Sequence, residues 1–139
     1  MKTYDTIILG GGPTGLTAGI YLSRAKINTL IIDTSMPGGQ MILTHKIENY
    51  PGIQSITGYE LSNIMKQQAE NFGCDIKSNV SLEKISLEDD IKIFKLSNGE
   101  EFAANSVILA TGGRSRRLGV VGEKEFSGRG ISYCATCDG

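Results

Sequence analysis

Tryptophan is absent from this chain and histidine occurs once, at His45. Catalytic triads that need histidine and metal sites with several imidazoles are therefore largely excluded. No apolar run approaches the roughly 20 residues that a membrane-spanning helix requires. The opening Met1-Lys2-Thr3-Tyr4-Asp5 leads straight into a short apolar stretch without the anatomy of a secretion signal. A cytoplasmic setting with no membrane attachment is expected. Charge of one sign is also lacking: 14 Lys and Arg face 15 Asp and Glu, for a net charge of −1. Nucleic acid calls for a strongly basic face, so none is expected as a partner. A hydrophobic content of 40% argues against disorder. One residue type is in excess. There are 18 Gly in 139 residues, about 13% against an ordinary ~7%. With no collagen-like period, this points to backbone that approaches a ligand closely.

Tyr4 to Leu9 is a short β-branched run closed by glycines, the pattern of a buried parallel strand. Pro13 suits the first turn of a helix, and Leu16, Ala18, Ile20, Tyr21 and Leu22 carry that helix to about Lys26. Asn28 to Asp33 reads as a second buried strand, which completes a βαβ unit. Ser35 to Ile56 is rich in Gly and Pro without periodicity, and a loop of that length is usually functional. Thr57-Gly58-Tyr59-Glu60 is a capping box that opens a second helix, with Gly73 placed to end it. Cys74 to Lys77 is a short strand. Alternating residues from Val80 to Leu96 turn at Asp89-Asp90, and Asn98-Gly99 signals a hairpin before Phe102, so an antiparallel meander is expected. Val107 to Ala110 reads as a further buried strand, and the chain from Arg114 onward as loop.

Gly10-Gly11-Gly12-Pro13-Thr14-Gly15 fits G-x-G-x-x-G directly after a strand and opening a helix. Gly10 serves the tight turn, Gly12 lets the backbone approach a pyrophosphate, and Gly15 permits close packing of helix on strand. Pro13 and Thr14 occupy the helix's first turn, where unpaired N–H groups and about half a positive charge face the phosphates. Asp33 stands at the end of the second strand, eighteen residues beyond Gly15. A carboxylate there can bond a ribose 2′-OH and would repel a 2′-phosphate, which favours FAD or NAD over NADP. The alternative is a glycine-rich turn without a ligand.

Cys134-Ala135-Thr136-Cys137 is followed by Asp138. In a chain with a dinucleotide fold, such a pair reads first as redox-active, since two thiols this close cycle between dithiol and disulfide. The adjacent carboxylate of Asp138 could carry protons during exchange. Half of a zinc site is the competing reading. Zinc takes about four ligands, and only Cys74, His45 and acidic residues remain to supply them. No metal site is expected. Cys74 reads as a small hydrophobe at a strand start and His45 as an ordinary loop residue.

Taken together, these residues resemble the low-molecular-weight thioredoxin reductases, flavoproteins of the pyridine-nucleotide–disulfide oxidoreductase class. The resemblance rests on the glycine turn with its flanks, Pro37-Gly-Gly-Gln-Met41, Glu48-Asn-Tyr-Pro-Gly52, Ile108-Leu-Ala-Thr-Gly-Gly113 and Cys134-Ala-Thr-Cys-Asp-Gly139, in family order. It implies an α/β, Rossmann-like FAD-binding fold: a parallel sheet with a βαβ unit plus an antiparallel meander, incomplete at its C-terminus. Residues 1–113 would form the N-terminal segment of the FAD-binding domain. Residues 114–139 would form a linker and the start of the domain that takes NADPH and carries the Cys pair. The resemblance puts Gly10, Gly12 and Gly15 at the FAD pyrophosphate and Asp33 at the adenosine ribose. Gly39, Gln40 and Asn49 would line the flavin, Val80 would meet adenine through its backbone, and Thr111 and Gly112 would close over the cofactor. Cys137 would face the flavin, Cys134 would attack the protein disulfide, and Asp138 would serve as acid and base.

The reaction so implied moves electrons from NADPH through FAD to the Cys pair and on to thioredoxin or a similar small redox protein, in a homodimer. The chain contains no second G-x-G-x-x-G, hence no NADPH site of its own. An N-terminal part of a reductase that does not turn over alone is therefore expected. The alternatives are a nucleotide-binding module without redox turnover and a related flavoprotein that reduces a peroxiredoxin.

Overall fold

Three apolar runs bounded by glycine, asparagine or aspartate become the parallel centre of a single sheet. The structure, a computed structural model, describes residues 1–134. Strands β1 (Lys2–Leu9), β2 (Thr29–Ile32) and β3 (Asp75–Lys77) run parallel, and β6 (Glu101–Leu109) joins them on the other side of β1. Strands β4 (Leu82–Ser86) and β5 (Lys92–Leu96) extend the sheet antiparallel, in the order β3-β2-β1-β6-β5-β4. The parallel register sets Ile7 against Leu30 and Val107, and Ile8 against Ile31 and Ile108.

The last strand of the expected meander and the expected buried strand at Val107 are one element, β6. Asn105 and Ser106 look like an interruption between Phe102 and Val107, yet β6 runs through them. Its first four residues pair antiparallel with β5, while Phe102–Ala104 and Ser106–Leu109 pair parallel with β1. The Ser106 hydroxyl bonds the Thr6 hydroxyl at 2.8 Å and donates to the Asp5 carbonyl at 3.0 Å. The polar step is thus satisfied inside the ladder and has no reason to break it.

Helix α1 (Pro13–Arg24) and helix α2 (Gly58–Asn71) pack against one face of the sheet. Ile8, Leu16, Ile31, Leu61, Met65, Ala69 and Cys74 form the core between them. On the opposite face Tyr4, Ile7, Leu9, Leu30, Ile32, Phe94, Leu96, Phe102 and Ala104 form a second core. Strict alternation would send Tyr4 to the face of Ile8. A bulge prevents this: the N–H groups of Asp5 and Thr6 both donate to the Asn28 carbonyl, at 2.9 and 3.3 Å. The extra residue turns Tyr4 onto the face of Ile7 and Leu9.

Two segments expected as loop carry local structure. Gly39–Leu43 forms a 3₁₀ turn, and Ile47 pairs with Ile56 across the rest of that stretch. Farther on, α3 (Glu123–Phe126) and a bridge between Ser127 and Ile131 order part of the region after Arg114. Both are too short to leave a periodic signal.

Candidate functional site

The site is built where β1, β2 and β6 end. β1 runs into Gly10, whose φ of +104° belongs to the region open to glycine, and a Cβ there would lie 2.1 Å from the Ala110 carbonyl oxygen. A Cβ on Gly15 would lie 1.8 Å from the Gly10 carbonyl oxygen. The turn and the start of α1 therefore admit no side chain at either position.

Asp33 holds this turn from the side. It is buried at the end of β2, and one carboxylate oxygen accepts the Gly11 N–H at 2.5 Å. The other accepts the Ser35 N–H and hydroxyl at 2.8 and 2.9 Å. A carboxylate offers about four acceptor positions, so room for one more donor remains. The Gly38 N–H donates to the Gly11 carbonyl at 2.7 Å, which lays the Pro37-Gly38-Gly39 stretch across the turn. Gly38 sits at φ +125°, and a Cβ there would lie 2.4 Å from the Ser62 hydroxyl of α2. Val80 is tied in through its N–H to the Asp33 carbonyl at 3.4 Å.

The structure thus gathers Gly10, Gly12, Pro13, Thr14, Gly15, Asp33, Gly39, Val80 and Thr111 around the ends of three strands. Gln40 opens outward from the 3₁₀ turn, and Asn49 and Gly112 are exposed beyond it. No hydrogen bond among the described residues ties Asn49 to the turn. Gly38 and Ser35 belong to the site although sequence reasoning assigned them no role. The double glycine after Pro37 was the available signal for Gly38, and the Asp33-x-Ser35 spacing for Ser35.

The first turn of α1 suits an anion. Its N-cap is Gly12, no side chain caps it, no acidic residue lies in the first turn, and Pro13 occupies the opening position. Among the described residues no side chain partners the backbone N–H groups there, at the positive end of the helix dipole. Glycines without Cβ beside uncapped amides fit a pyrophosphate, and the remaining acceptor position on Asp33 fits a ribose hydroxyl.

The sulfur chemistry is divided. Cys134 is half-buried, and its N–H donates to the Ser132 hydroxyl at 3.1 Å. Cys137 and Asp138 lie outside the described residues. Cys74 is buried between α1 and the sheet edge, where burial pushes its thiol up to about 11. A thiol held protonated is a poor nucleophile, so Cys74 serves packing. His45 is exposed in the loop after the 3₁₀ turn.

A second concavity, of about 440 Å³, opens at the other end of the sheet between Tyr4, Asp75, Lys77 and Phe102. Four of its charged side chains are already paired. Lys2 and the Tyr4 hydroxyl both donate to one Asp75 oxygen, at 2.7 and 2.6 Å, and together hold that carboxyl below its usual range. Lys77 pairs with Glu100 at 2.6 Å.

Comparison with known proteins agrees with this geometry. The family model described as pyridine nucleotide-disulphide oxidoreductase matches residues 4–139. Thioredoxin reductase of Bacillus subtilis is 46% identical over 138 residues, covering 99% of this chain and 43% of that protein. The thioredoxin reductase of Listeria innocua is 47% identical over 140 residues, again 99% of this chain and 43% of the relative. Among solved structures, the thioredoxin reductase of Streptococcus pyogenes superposes with a TM-score of 0.83 at 42% identity, covering 98% of this chain and 44% of that one. The Giardia duodenalis thioredoxin reductase gives 0.84 at 35% identity, covering 99% and 45%. The chain spans less than half the length of these relatives, and its mixed α/β sheet is the Rossmann-like sheet they share.

Proposed function

This chain belongs to the pyridine nucleotide-disulphide oxidoreductase family, and we propose that it forms the N-terminal part of a flavin-dependent thioredoxin-disulfide reductase. On this reading residues 1–113 bind FAD. Residues 114–139 link them to a domain that takes NADPH and begins with the Cys-x-x-Cys pair. What carries the reading is the uncapped first turn of α1, lying open beside a glycine turn that Asp33 and Gly38 hold from two sides.

FAD, when bound, supplies a ring that takes up a hydride and gives up an electron pair to a disulfide. The chain's own part is to hold and exclude. The amides at Gly12 to Gly15 would bind the pyrophosphate, and Asp33 would accept a ribose hydroxyl while its other bonds keep the turn rigid. Val80 would meet adenine, Gly39, Gln40 and Asn49 would border the flavin, and Thr111 and Gly112 would close the edge. The Cys134 thiolate would attack one sulfur of a thioredoxin disulfide and release the other as a thiol. Cys137 would then attack the Cys134 sulfur of the mixed disulfide and displace the second thioredoxin sulfur as a thiol, with Asp138 carrying the proton. Two thiols become one disulfide as the partner's disulfide becomes two thiols. In the longer reductase the unit is a homodimer.

The test begins with flavin fluorescence. Titration of the chain with FAD is expected to quench it at one FAD per chain, and NADPH alone is expected to drive no turnover. A chain that reduced thioredoxin with NADPH unaided would overturn the assignment to part of an enzyme. Replacing Cys134 and Cys137 by serine is expected to leave FAD binding intact and to abolish disulfide reduction by the completed polypeptide. A nucleotide-binding module would lose nothing.

A further inference from the structure

Residues 118–133 close on themselves around one carboxylate. Glu123, at the start of α3, is 9% exposed. One of its oxygens accepts the Leu118 N–H at 2.8 Å and also the Tyr133 hydroxyl; the other accepts the Gly119 N–H at 2.8 Å. The three donors come from both ends of the segment, so a single side chain joins the stretch before α3 to the residue immediately preceding Cys134. Backbone bonds complete the knot. Phe126 accepts from Arg129 and Ile131, both at 2.9 Å, and Gly128 donates to Ile131 at 2.9 Å. Leaving a buried acceptor of this kind without its donors, or the donors without it, is costly, which makes the arrangement a fixed point rather than a passing contact.

We propose that Glu123 is a positioning residue for Cys134, holding through Tyr133 the backbone by which the chain enters the Cys-x-x-Cys pair. This rests on the reading of that pair as redox-active. An ordered entry reduces the number of reduced-state conformations in which the two sulfurs stand apart, and so favours the closed disulfide. In forming the S–S bond the pair loses two electrons and two protons. Glutathione disulfide takes up both and leaves as two glutathione thiols.

The experiment equilibrates the 139-residue chain with mixtures of reduced and oxidised glutathione and measures the oxidised fraction by alkylation and mass. Glu123→Gln is expected to lower the equilibrium constant for disulfide formation about tenfold, a shift of about 30 mV for this two-electron couple. A glutamine has one oxygen, where three donors need two, and its NH₂ would oppose a backbone N–H. Tyr133→Phe removes one donor and leaves the bonds to Leu118 and Gly119 in place. It is expected to lower the constant about threefold, and the double variant no further than Glu123→Gln alone, because the Tyr133 hydroxyl acts only through Glu123. Should Glu123→Gln unfold the segment, Tyr133→Phe still reports on positioning. Constants unchanged in a folded Tyr133→Phe chain overturn the proposal and leave the dithiol reading standing. A wild-type chain whose Cys134 and Cys137 form no disulfide at any ratio overturns both.

Discussion

Helices α1 and α2 lie side by side on one face of the sheet, yet their ends are finished in opposite ways. At the start of α2 the Thr57 hydroxyl accepts the Glu60 N–H at 3.1 Å, and the Glu60 carboxylate accepts the Thr57 N–H at 3.1 Å. The Thr57 hydroxyl, which also donates to that carboxylate at 2.8 Å, and then the Thr57 N–H hold the Glu60 carboxyl below its usual range. The start of α1 has neither a cap nor an acid. At the C-terminal ends the same six-residue hydrogen-bond pattern closes both helices. In α2 it passes through Gly73 at φ +96°, and in α1 through Lys26 at φ +66°, where a Cβ is strained. One helix is finished by its own residues, while the other tolerates strain at one end and unpaired amides at the other. On the proposed reading, what α1 gives up in local stability would go to binding a phosphate.

Four substitutions would break or sharpen that contrast. Gly15→Ala pushes a Cβ into the Gly10 carbonyl, and is expected to destabilise the chain by about 3 kcal/mol in urea unfolding. Glu in place of Thr14 closes the open end with a carboxylate, as α2 is closed. FAD affinity is expected to fall at least tenfold, about 1.4 kcal/mol, while stability holds or rises. An unchanged affinity would show that the amides of α1 do not serve the ligand. Thr57→Ala opens α2 instead and is expected to cost about 1 kcal/mol of stability with no effect on FAD. The smallest effect is expected from Lys26→Gly, which relieves the left-handed strain and should stabilise by about 0.5–1 kcal/mol, read as a raised melting temperature.

Much of this was legible before the fold was known, and the reasons are local. The capping box is written in four consecutive residues and Gly73 marks the end of α2, so that helix was readable almost to the residue. The end of α1 was less readable because lysine is an unusual residue for a left-handed cap. β6 was read as two pieces because Asn105 and Ser106 break the apolar run. The acceptability of Ser106 depends on Thr6 and Asp5, about a hundred residues away in the chain. The placement of Tyr4 is hidden for a similar reason, since the bulge at Asp5 is set by Asn28, the residue just before β2. At the site, the position of Asp33 at the end of the second strand suggests an acid for a ribose. The structure adds that the same carboxylate braces the Gly11 and Ser35 amides.

The sequence alone determined the glycine turn, the acid at the end of the second strand, the spacing of the two C-terminal cysteines and the family. Each rests on residues close together in the chain, where sterics and hydrogen-bond reach act directly. Only the tertiary structure decided that Gly38 closes over Gly11, that β6 joins the parallel and antiparallel parts of the sheet, and that Glu123 binds Leu118, Gly119 and Tyr133 at once. Those contacts depend on which segments the packed sheet and its loops bring within 3 Å of one another, and no local propensity encodes that.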